Sequence, residues 1–196
     1  MGDRLDELGF EMRVGDGGRH PSVRDVGRLI VDHLAPGHPL RQWAEGLAGG
    51  TINVELAGYL TGSIDLVARL RESGHPDRFV VADYKTNRLT RPGVVARVDA
   101  YGPGRLVEAM AEHHYPLQAL LYAVALHRYL RWRAPLAGGD TRVTGAAYLF
   151  VRGMTGPGVQ VTRGMPHGVF TWEFPPNLVV RLSDLLAGRP VSGADR

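Results

Sequence analysis

The sequence predicts an α/β (α+β) domain in which a mixed central sheet is flanked by helices. Strand-like segments follow one another over residues 51–59, 60–70 and 78–85, and helix-like segments precede and follow them. Consecutive strands with hairpin connections favour a mixed or antiparallel sheet over a doubly wound parallel one. A chain of 196 residues is long enough for one domain with a substantial core.

Composition excludes several classes of protein. No apolar run approaches the length of a membrane span, and the N-terminus lacks the apolar core of a signal peptide. The absence of cysteine excludes disulfides, thiolate metal ligands and a cysteine nucleophile, and fits a reducing cytoplasm, which is the predicted location. A sequence pI of about 9.5 is compatible with a nucleic-acid partner, and no membrane partner is expected.

The sequence of the N-terminal third predicts an edge strand and two helices. Residues 5–9 are predicted to form a helix end or turn, and residues 10–14 an edge strand that a turn at residues 15–18 closes. Ser22 is a suitable cap for a helix over residues 23–34. The residues that this helix would turn toward the core, at helical spacing, are Val23, Val26, Ile30 and Leu34. A short helix over residues 40–47 would end at Gly49 and Gly50.

The remaining elements follow the three strands. Residues 71–77 predict a hairpin connection, and residues 87–104 an exposed loop. Helices are then predicted over residues 106–112 and 116–132, strands over residues 143–151 and 169–172, and a last helix over residues 177–186. The segment 188–196 is predicted to be a flexible tail.

Lys85 is the only lysine among 23 basic residues, the other 22 being arginine. A chain that otherwise uses arginine has kept one compact ammonium with three donors at this position. This choice indicates a chemical role for Lys85.

Two carboxylates accompany this lysine. Asp65 and Asp83 lie on the two predicted strands of the hairpin, and Lys85 follows Asp83 by two residues, so it shares a face of the sheet with it. Two carboxylates beside an ammonium suit Mg²⁺ or Mn²⁺ next to a group that orients or polarises water, as phosphodiester hydrolysis requires. The alternative is a surface ion pair at a strand end, which contributes little.

Other candidates are less specific. Gln118 and Tyr122 lie four residues apart on one face of the long helix, where they suit hydrogen bonding to phosphate, base or water, or simply pack together. Arg88, Arg91 and Arg97 in the exposed loop are either solvated charges or contacts to a phosphate backbone. The histidines predicted to lie at the surface or at helix ends, rather than to bind metal, are His113, His114 and His127.

Four stretches together resemble the C-terminal nuclease domain of the RecB family, the nuclease-bearing subunits of RecBCD helicase–nucleases (exonuclease V). They are GYLTGSIDLV at residues 58–67, FVVADYKTN at 79–87, YPLQALLYAVALHRYL at 115–130 and YLFVRGM at 148–154. The resemblance runs from about Phe10 to Leu186 in the order of the family. It implies a restriction-endonuclease-like PD-(D/E)xK core with Mg²⁺ on one edge of the sheet, and Mn²⁺ or Ca²⁺ able to substitute in binding.

The resemblance also implies roles for individual residues. Asp65 and Asp83 match the family's metal-binding carboxylates, Lys85 matches the catalytic lysine, and the backbone carbonyl of Tyr84 matches a further metal ligand. Gln118 and Tyr122 match the family's Gln-xxx-Tyr helix motif, which is expected near the DNA or the site. Arg88 is predicted to contact DNA as well.

The function implied is that of a metal-dependent DNA nuclease domain in double-strand break processing and recombinational repair. The expected partners are single strands of DNA fed by a helicase motor, RecC-like and RecD-like subunits, and a RecA-type recombinase. One alternative is a docking module for a recombinase or partner subunit, with weak or no nuclease activity. Another is a stand-alone endonuclease of the same superfamily.

The chain departs from the family pattern in one respect. The family has a metal-binding histidine on a helix upstream of the first strand, in a Gly-Thr-x-x-His context, and no residue before Phe10 matches it. His20, His33 and His38 come after that strand and do not match. The resemblance therefore predicts that residues 1–196 form a single nuclease domain cut from a longer helicase polypeptide.

Overall fold

The computed structural model describes residues 3–15, 20–90, 93–95, 97–133 and 140–189. The predicted turn at residues 16–18, Arg91, residues 134–139 and the tail from residue 190 lie outside the described residues. The elements in chain order are β1 (Arg4–Val14), α1 (Val23–His33), α2 (Arg41–Gly49), β2 (Gly58–Leu70), β3 (Arg78–Lys85), α3 (Pro103–Glu112), α4 (Tyr115–Arg133), β4 (Val143–Phe150), β5 (Val161–Thr162), β6 (Met165–Pro166), β7 (Val169–Glu173) and α5 (Leu178–Leu186), with 3-10 helices at Val98–Tyr101 and Val151–Gly153.

The central sheet has the predicted character. Over the described ranges its strands follow the order β1-β2-β3-β4-β7, and β5 pairs with β6 in a separate two-stranded sheet. Strands β2 and β3 are antiparallel, with register from Leu66↔Ala82 to Leu70↔Arg78. Strands β4 and β7 are also antiparallel. The mixed sheet with flanking helices is confirmed, as are the hairpin and the edge position of the first strand.

The first strand is longer than predicted. It begins at Arg4, so the prediction of a helix end or turn over residues 5–9 is wrong. Glu7 has a φ of 55°, which interrupts the extended conformation in the middle of the strand. Because this interruption breaks the two-residue alternation, the sequence pattern concealed the N-terminal half of β1.

The predicted strand over residues 51–59 is also wrong in most of its length. Strand β2 begins only at Gly58, and the residues before it make an isolated bridge rather than a sheet strand. The carbonyl of Val54 accepts a hydrogen bond from the Val23 N–H at 2.9 Å, and the Leu56 N–H donates to the Pro21 carbonyl at 2.7 Å. These bonds tie the segment to the beginning of α1.

The chain divides into two compact units, each assembled from three segments. The first comprises Met1–Leu8, Ile64–Ala119 and Thr144–Glu173. The second comprises Gly9–Ser63, Leu120–Val143 and Phe174–Arg196. The assignment of residues 1–196 to a single domain stays a prediction. None of the helices within the described ranges is both long and apolar enough to cross a bilayer.

The second unit has a helical core. Helix α1 packs against α2 and α5, and its predicted core residues Val26 and Ile30 are fully buried. Ser22 begins the helix with a capping box, in which its hydroxyl accepts from the Asp25 N–H and the Asp25 carboxylate accepts from the Ser22 N–H. Gly27 lies at the contact with α2, where a Cβ would come within 2.4 Å of the Ala48 nitrogen. Close helix packing therefore requires a glycine there.

Two neighbouring residues of α4, the half-buried Arg128 and the buried His127, belong to this second unit. Arg128 donates from Nε to the Ser183 hydroxyl at 3.1 Å, from Nη2 to the Ser183 carbonyl at 2.8 Å, and from Nη1 to the Arg13 carbonyl at 2.9 Å. His127 is 1% exposed, so its prediction as a surface or helix-end histidine is wrong. Burial lowers the pKa of His127 to about 4, and the positive charge of Arg131 contributes to the decrease.

The first unit supports the segment that follows β3. Tyr101 is 1% exposed, and its hydroxyl donates to the Asn87 carbonyl at 3.0 Å. Gly153 packs on the Tyr101 side chain so closely that a Cβ would lie 2.4 Å from it. The Gly168 N–H also donates to the Tyr101 carbonyl, at 2.9 Å. Tyr101 thus fixes the chain two residues beyond Lys85.

Candidate active site

Asp83 and Lys85 form a buried ion pair near the end of β3. Strand alternation places both side chains on the same face, and the Lys85 Nζ lies 2.6 Å from the Asp83 Oδ2. The Asp83 side chain is 5% exposed and that of Lys85 is 12% exposed. This burial rules out the alternative of a solvated surface ion pair.

The Lys85 ammonium is the one partner of the Asp83 Oδ2 among the described residues. The Lys85 Nζ lies 2.6 Å from this buried oxygen, and no other donor among the described residues reaches it. Burial raises the pKa of Asp83, the bond and charge of Lys85 oppose the rise, and the charge of Asp65 adds to it. The charged form of Asp83 is therefore less stable than that of an ordinary aspartate, and a further cation nearby would stabilise it.

Asp65 lies across the hairpin from this pair. The antiparallel register of β2 and β3 ends at Leu66↔Ala82, and extending it by one residue places Asp65 opposite Asp83, on the same face. The Asp65 Oδ2 accepts a hydrogen bond from the backbone N–H of Tyr84 at 3.0 Å. The two carboxylates are thus neighbours, and the charge of Asp65 contributes to the raised pKa of Asp83.

This donor set fits a hard divalent cation. Carboxylate oxygens are ligands that Mg²⁺, Mn²⁺ and Ca²⁺ accept, and the buried Asp83 Oδ2 has no donor other than the Lys85 ammonium among the described residues. Within the described ranges, no group of three or more histidine, aspartate or glutamate side chains could hold a metal ion. The two acids would therefore need backbone carbonyl, water or substrate oxygens to complete a coordination sphere.

Lys85 is held by α4 as well as by Asp83. Its Nζ donates to the Gln118 Oε1 at 3.0 Å, and lies 4.0 Å from the centroid of the Tyr115 ring and 5.3 Å from that of Tyr148. The Tyr148 hydroxyl also lies 3.1 Å from the Gln118 Oε1. The structure thus brings Gln118 together with Lys85 and Asp83, although its role stays a prediction.

Tyr122 and Arg88 have other contacts. Tyr122 lies one turn beyond Gln118 on α4, and its ring packs edge-on against Phe10, with ring centroids 5.8 Å apart. The exposed Arg88 donates from Nε to the Thr90 hydroxyl at 2.9 Å and from Nη2 to the Val94 carbonyl. Arg88 therefore stabilises the conformation of its own loop. The contacts of Tyr122 and Arg88 with DNA stay predictions.

Sequence reasoning missed several residues around the lysine. Tyr115 and Tyr148 contact the Lys85 ammonium, the Tyr115 hydroxyl donates to the Asn87 Oδ1 at 3.0 Å, and Arg152 donates from Nε to the Thr86 carbonyl at 2.8 Å. Each lies in or beside a stretch that carries the family resemblance. These stretches also contain other aromatic residues, such as Phe79 and Tyr129, so the sequence alone does not single out Tyr115 and Tyr148.

The comparisons with known proteins agree with this geometry. The family model of the PD-(D/E)XK nuclease superfamily matches residues 9–180. The chain is 52% identical to the RecBCD enzyme subunit RecB of Mycolicibacterium smegmatis over 192 residues, which is 94% of this chain and 17% of that protein. It is 50% identical to RecB of Mycobacterium tuberculosis over 190 residues, 94% of this chain and 16% of that protein.

A more distant relative is also a RecB subunit. The chain is 33% identical to RecB of Escherichia coli over 141 residues, which is 72% of this chain and 11% of that protein. The resemblance to RecB nuclease domains is confirmed, and so is the predicted fold class. The chain spans about a sixth of the length of the first of these relatives.

Proposed function

The chain belongs to the PD-(D/E)XK nuclease superfamily, and from this premise we propose that it is a metal-dependent DNA nuclease domain that hydrolyses phosphodiester bonds. The observation that supports the proposal best is the buried Asp83–Lys85 pair, with the Asp65 carboxylate across the hairpin. Nuclease chemistry at a phosphodiester needs carboxylates for a cation and a fixed positive group. The family match favours this function over a docking module.

Asp65 and Asp83 are the proposed metal ligands, together with the backbone carbonyl of Tyr84. The proposed ion is Mg²⁺, with Mn²⁺ or Ca²⁺ able to replace it in binding. When bound, the ion would offset charge on the scissile phosphate and activate the attacking water. The hydrogen bond from the Tyr84 N–H to Asp65 holds that carboxylate toward the end of β3.

Lys85 is the proposed catalytic lysine. Its ammonium is fixed by Asp83 and Gln118 in a largely buried position, so it can donate to the attacking water or to a phosphate oxygen without reorganisation. A positive charge fixed in a poorly solvated site stabilises the extra negative charge of the transition state more strongly than a mobile surface charge. Gln118, Tyr122 and Arg88 are proposed to contact the DNA.

The role of the parent protein is part of the proposal. The relatives are named as RecB subunits of RecBCD enzymes, and the chain matches 17% of the M. smegmatis protein. On that basis the chain is proposed to be a single nuclease domain of a RecBCD-type helicase–nuclease of the cytoplasm. It would act on single strands fed by the motor, beside RecC-like and RecD-like subunits and a RecA-type recombinase, in double-strand break processing and recombinational repair.

The test is DNA degradation by the complete helicase–nuclease complex that carries this domain. Asp83→Ala and Lys85→Ala should each lower the rate of DNA degradation by at least about 100-fold while ATP-driven unwinding continues. Asp77→Ala is the matched control, because Asp77 is a half-exposed acid just before β3 that pairs with Arg69 at 3.5 Å. A Lys85→Ala complex that degrades DNA at the parental rate would refute the assignment.

A further inference from the structure

The Lys85 ammonium is surrounded by acceptors of three different kinds. An ammonium has three N–H donors and no acceptor. Around it lie the Asp83 carboxylate at 2.6 Å, the Gln118 amide oxygen at 3.0 Å and the face of the Tyr115 ring, whose centroid is 4.0 Å away. The ammonium thus has two oxygen partners and one aromatic face around it, and protein groups alone hold it in place.

The Tyr115 contact is a cation–π interaction. A lysine ammonium within about 6 Å of an aromatic centroid is attracted to the negative face of the ring, and the attraction increases where solvent is excluded. Lys85 is 12% exposed, so little water competes for its charge. Tyr115 itself is fixed, because its ring stacks with that of Tyr148 at 5.6 Å and its hydroxyl donates to the Asn87 Oδ1.

Tyr148 acts on Lys85 through Tyr115 and Gln118. The Gln118 Oε1 faces the ammonium, which can only donate, and the Tyr148 hydroxyl lies 3.1 Å from the same oxygen. A hydroxyl donor at that position favours the amide orientation that turns the oxygen toward Lys85. The opposite orientation would place an N–H₂ group against an ammonium, which is repulsive. The same hydroxyl lies 2.9 Å from the Tyr115 backbone carbonyl, so its one proton is shared between that carbonyl and the Gln118 Oε1. Tyr148 therefore fixes Tyr115 as well as the Gln118 amide.

We propose that Tyr115 and Tyr148 are positioning residues for Lys85, with Tyr115 holding the ammonium against its ring and Tyr148 fixing Tyr115 and the Gln118 amide through its hydroxyl. The proposal rests on the proposed nuclease function, in which Lys85 must meet the reacting atoms. Because a small misplacement of a reacting group is costly, loss of either tyrosine's contact lowers the catalytic rate more than it changes substrate binding.

The single lysine of the chain allows a direct test without DNA. Because Lys85 is the single lysine, labelling with carbon-13 lysine gives one signal for the Cε methylene group, the carbon bonded to Nζ, in the NMR spectrum of the 196-residue chain. Because this group lies over the Tyr115 ring, its proton signal should be shifted upfield by the ring current and should show NOEs to Tyr115 ring protons. In the unaltered chain, the absence of both effects would overturn the proposal.

Variants separate the two tyrosines. Tyr115→Phe keeps the ring and should keep the upfield shift, whereas Tyr115→Leu should return the signal to the position of an exposed lysine. Tyr148→Phe keeps the ring packing and removes only the hydroxyl, so it remains informative if Tyr115→Leu does not fold. Tyr129→Leu is the matched control, because Tyr129 lies exposed on the same helix and its ring contacts Trp132.

The kinetic measurement is DNA hydrolysis by the complete complex. Tyr115→Leu and Tyr148→Phe should each lower kcat by about tenfold or more with little change in KM, while Tyr115→Phe stays within about threefold of the parent. Equal losses in Tyr115→Phe and Tyr115→Leu, or a change in KM alone, would contradict the positioning role. If the parent complex hydrolyses no DNA, the nuclease proposal fails, and the NMR signal still decides whether Tyr115 holds the ammonium.

Discussion

The Asp65 carboxylate accepts a hydrogen bond from the backbone N–H of Tyr84, the residue between Asp83 and Lys85. The antiparallel register of β2 and β3 ends at Leu66↔Ala82, so a side chain continues the contact between the strands where the register stops. Asp65 therefore has two roles, since it fixes the end of β3 and also supplies charge beside Asp83.

These two roles of Asp65 can be separated. Asp65→Asn keeps an acceptor for the Tyr84 N–H but removes the charge, so we expect it to retain parental stability and to bind Mn²⁺ at least about tenfold more weakly. Asp65→Ala should bind Mn²⁺ equally weakly and also lose about 1 kcal/mol of unfolding free energy, because the Tyr84 N–H loses its partner. Calorimetric titration and thermal unfolding measure the two effects. Parental Mn²⁺ affinity in Asp65→Asn would exclude Asp65 from the metal site.

His127 predicts a decrease in stability in mild acid. Its pKa is lowered from 6.5 to about 4 in the folded chain, chiefly by burial. Between these pH values the unfolded chain binds a proton that the folded chain does not, so the free energy of unfolding decreases as the pH falls from 6.5 to 4. The decrease should reach up to about 3 kcal/mol, measured by urea unfolding at several pH values.

A His127→Leu variant isolates this contribution. The His127 Nε2 has no hydrogen-bond partner among the described residues. Replacing the buried ring with leucine therefore removes no hydrogen bond made by that atom. The pH dependence of its stability should be shallower than that of the parent over the same window. Identical slopes would show that His127 is not the responsible group. His38, whose pKa burial also lowers, contributes equally to both proteins.

The close contact between α1 and α2 leaves no room for a side chain at residue 27. Gly27→Ala places a Cβ within 2.4 Å of the Ala48 nitrogen, so we expect a loss of about 1–3 kcal/mol of unfolding free energy despite the better helix propensity of alanine. Gly104→Ala in α3 is the control, because its Cβ would meet no atom within 4 Å. That variant should be as stable as the parent or slightly more so. Equal stability of the two variants would disprove the packing argument.

The cap of α1 gives a smaller effect. Ser22→Ala removes the acceptor of the Asp25 N–H and the hydroxyl bonded to the Asp25 carboxylate at 2.7 Å. We expect a loss of about 1 kcal/mol in unfolding free energy, measured by chemical denaturation. Ser73→Ala, at an exposed position in the β2–β3 connection, should cause no measurable loss.

The local features of the site were predictable from the sequence. The hairpin was visible as two apolar segments around a turn, and the shared face of Asp83 and Lys85 follows from the two-residue period of a strand. The capping box at Ser22 has a local signature as well. In each case the interacting residues lie close together in the chain, so periodicity and spacing contain the information.

The surroundings of Lys85 depend on contacts that no local pattern contains. Tyr115 and Tyr148 are separated by 33 residues, and they meet at Lys85 only because the fold brings α4 and β4 to β3. The burial of His127 likewise depends on the elements packed against α4. Long-range packing sets these features, and the sequence of one element does not reveal which other element covers it.

The hydrogen bonds of Arg128 set a minimum length for any shortened version of this chain. Its guanidinium donates twice to Ser183 on α5, and the same helix contributes the buried side chains of Leu178, Leu182 and Leu186. A truncation before residue 178 would leave a half-buried cation with two donors unsatisfied and would expose the apolar surface that α5 covers. Limited proteolysis should therefore leave α5 attached, because the C-terminal helix belongs to the smallest stable core of the second unit.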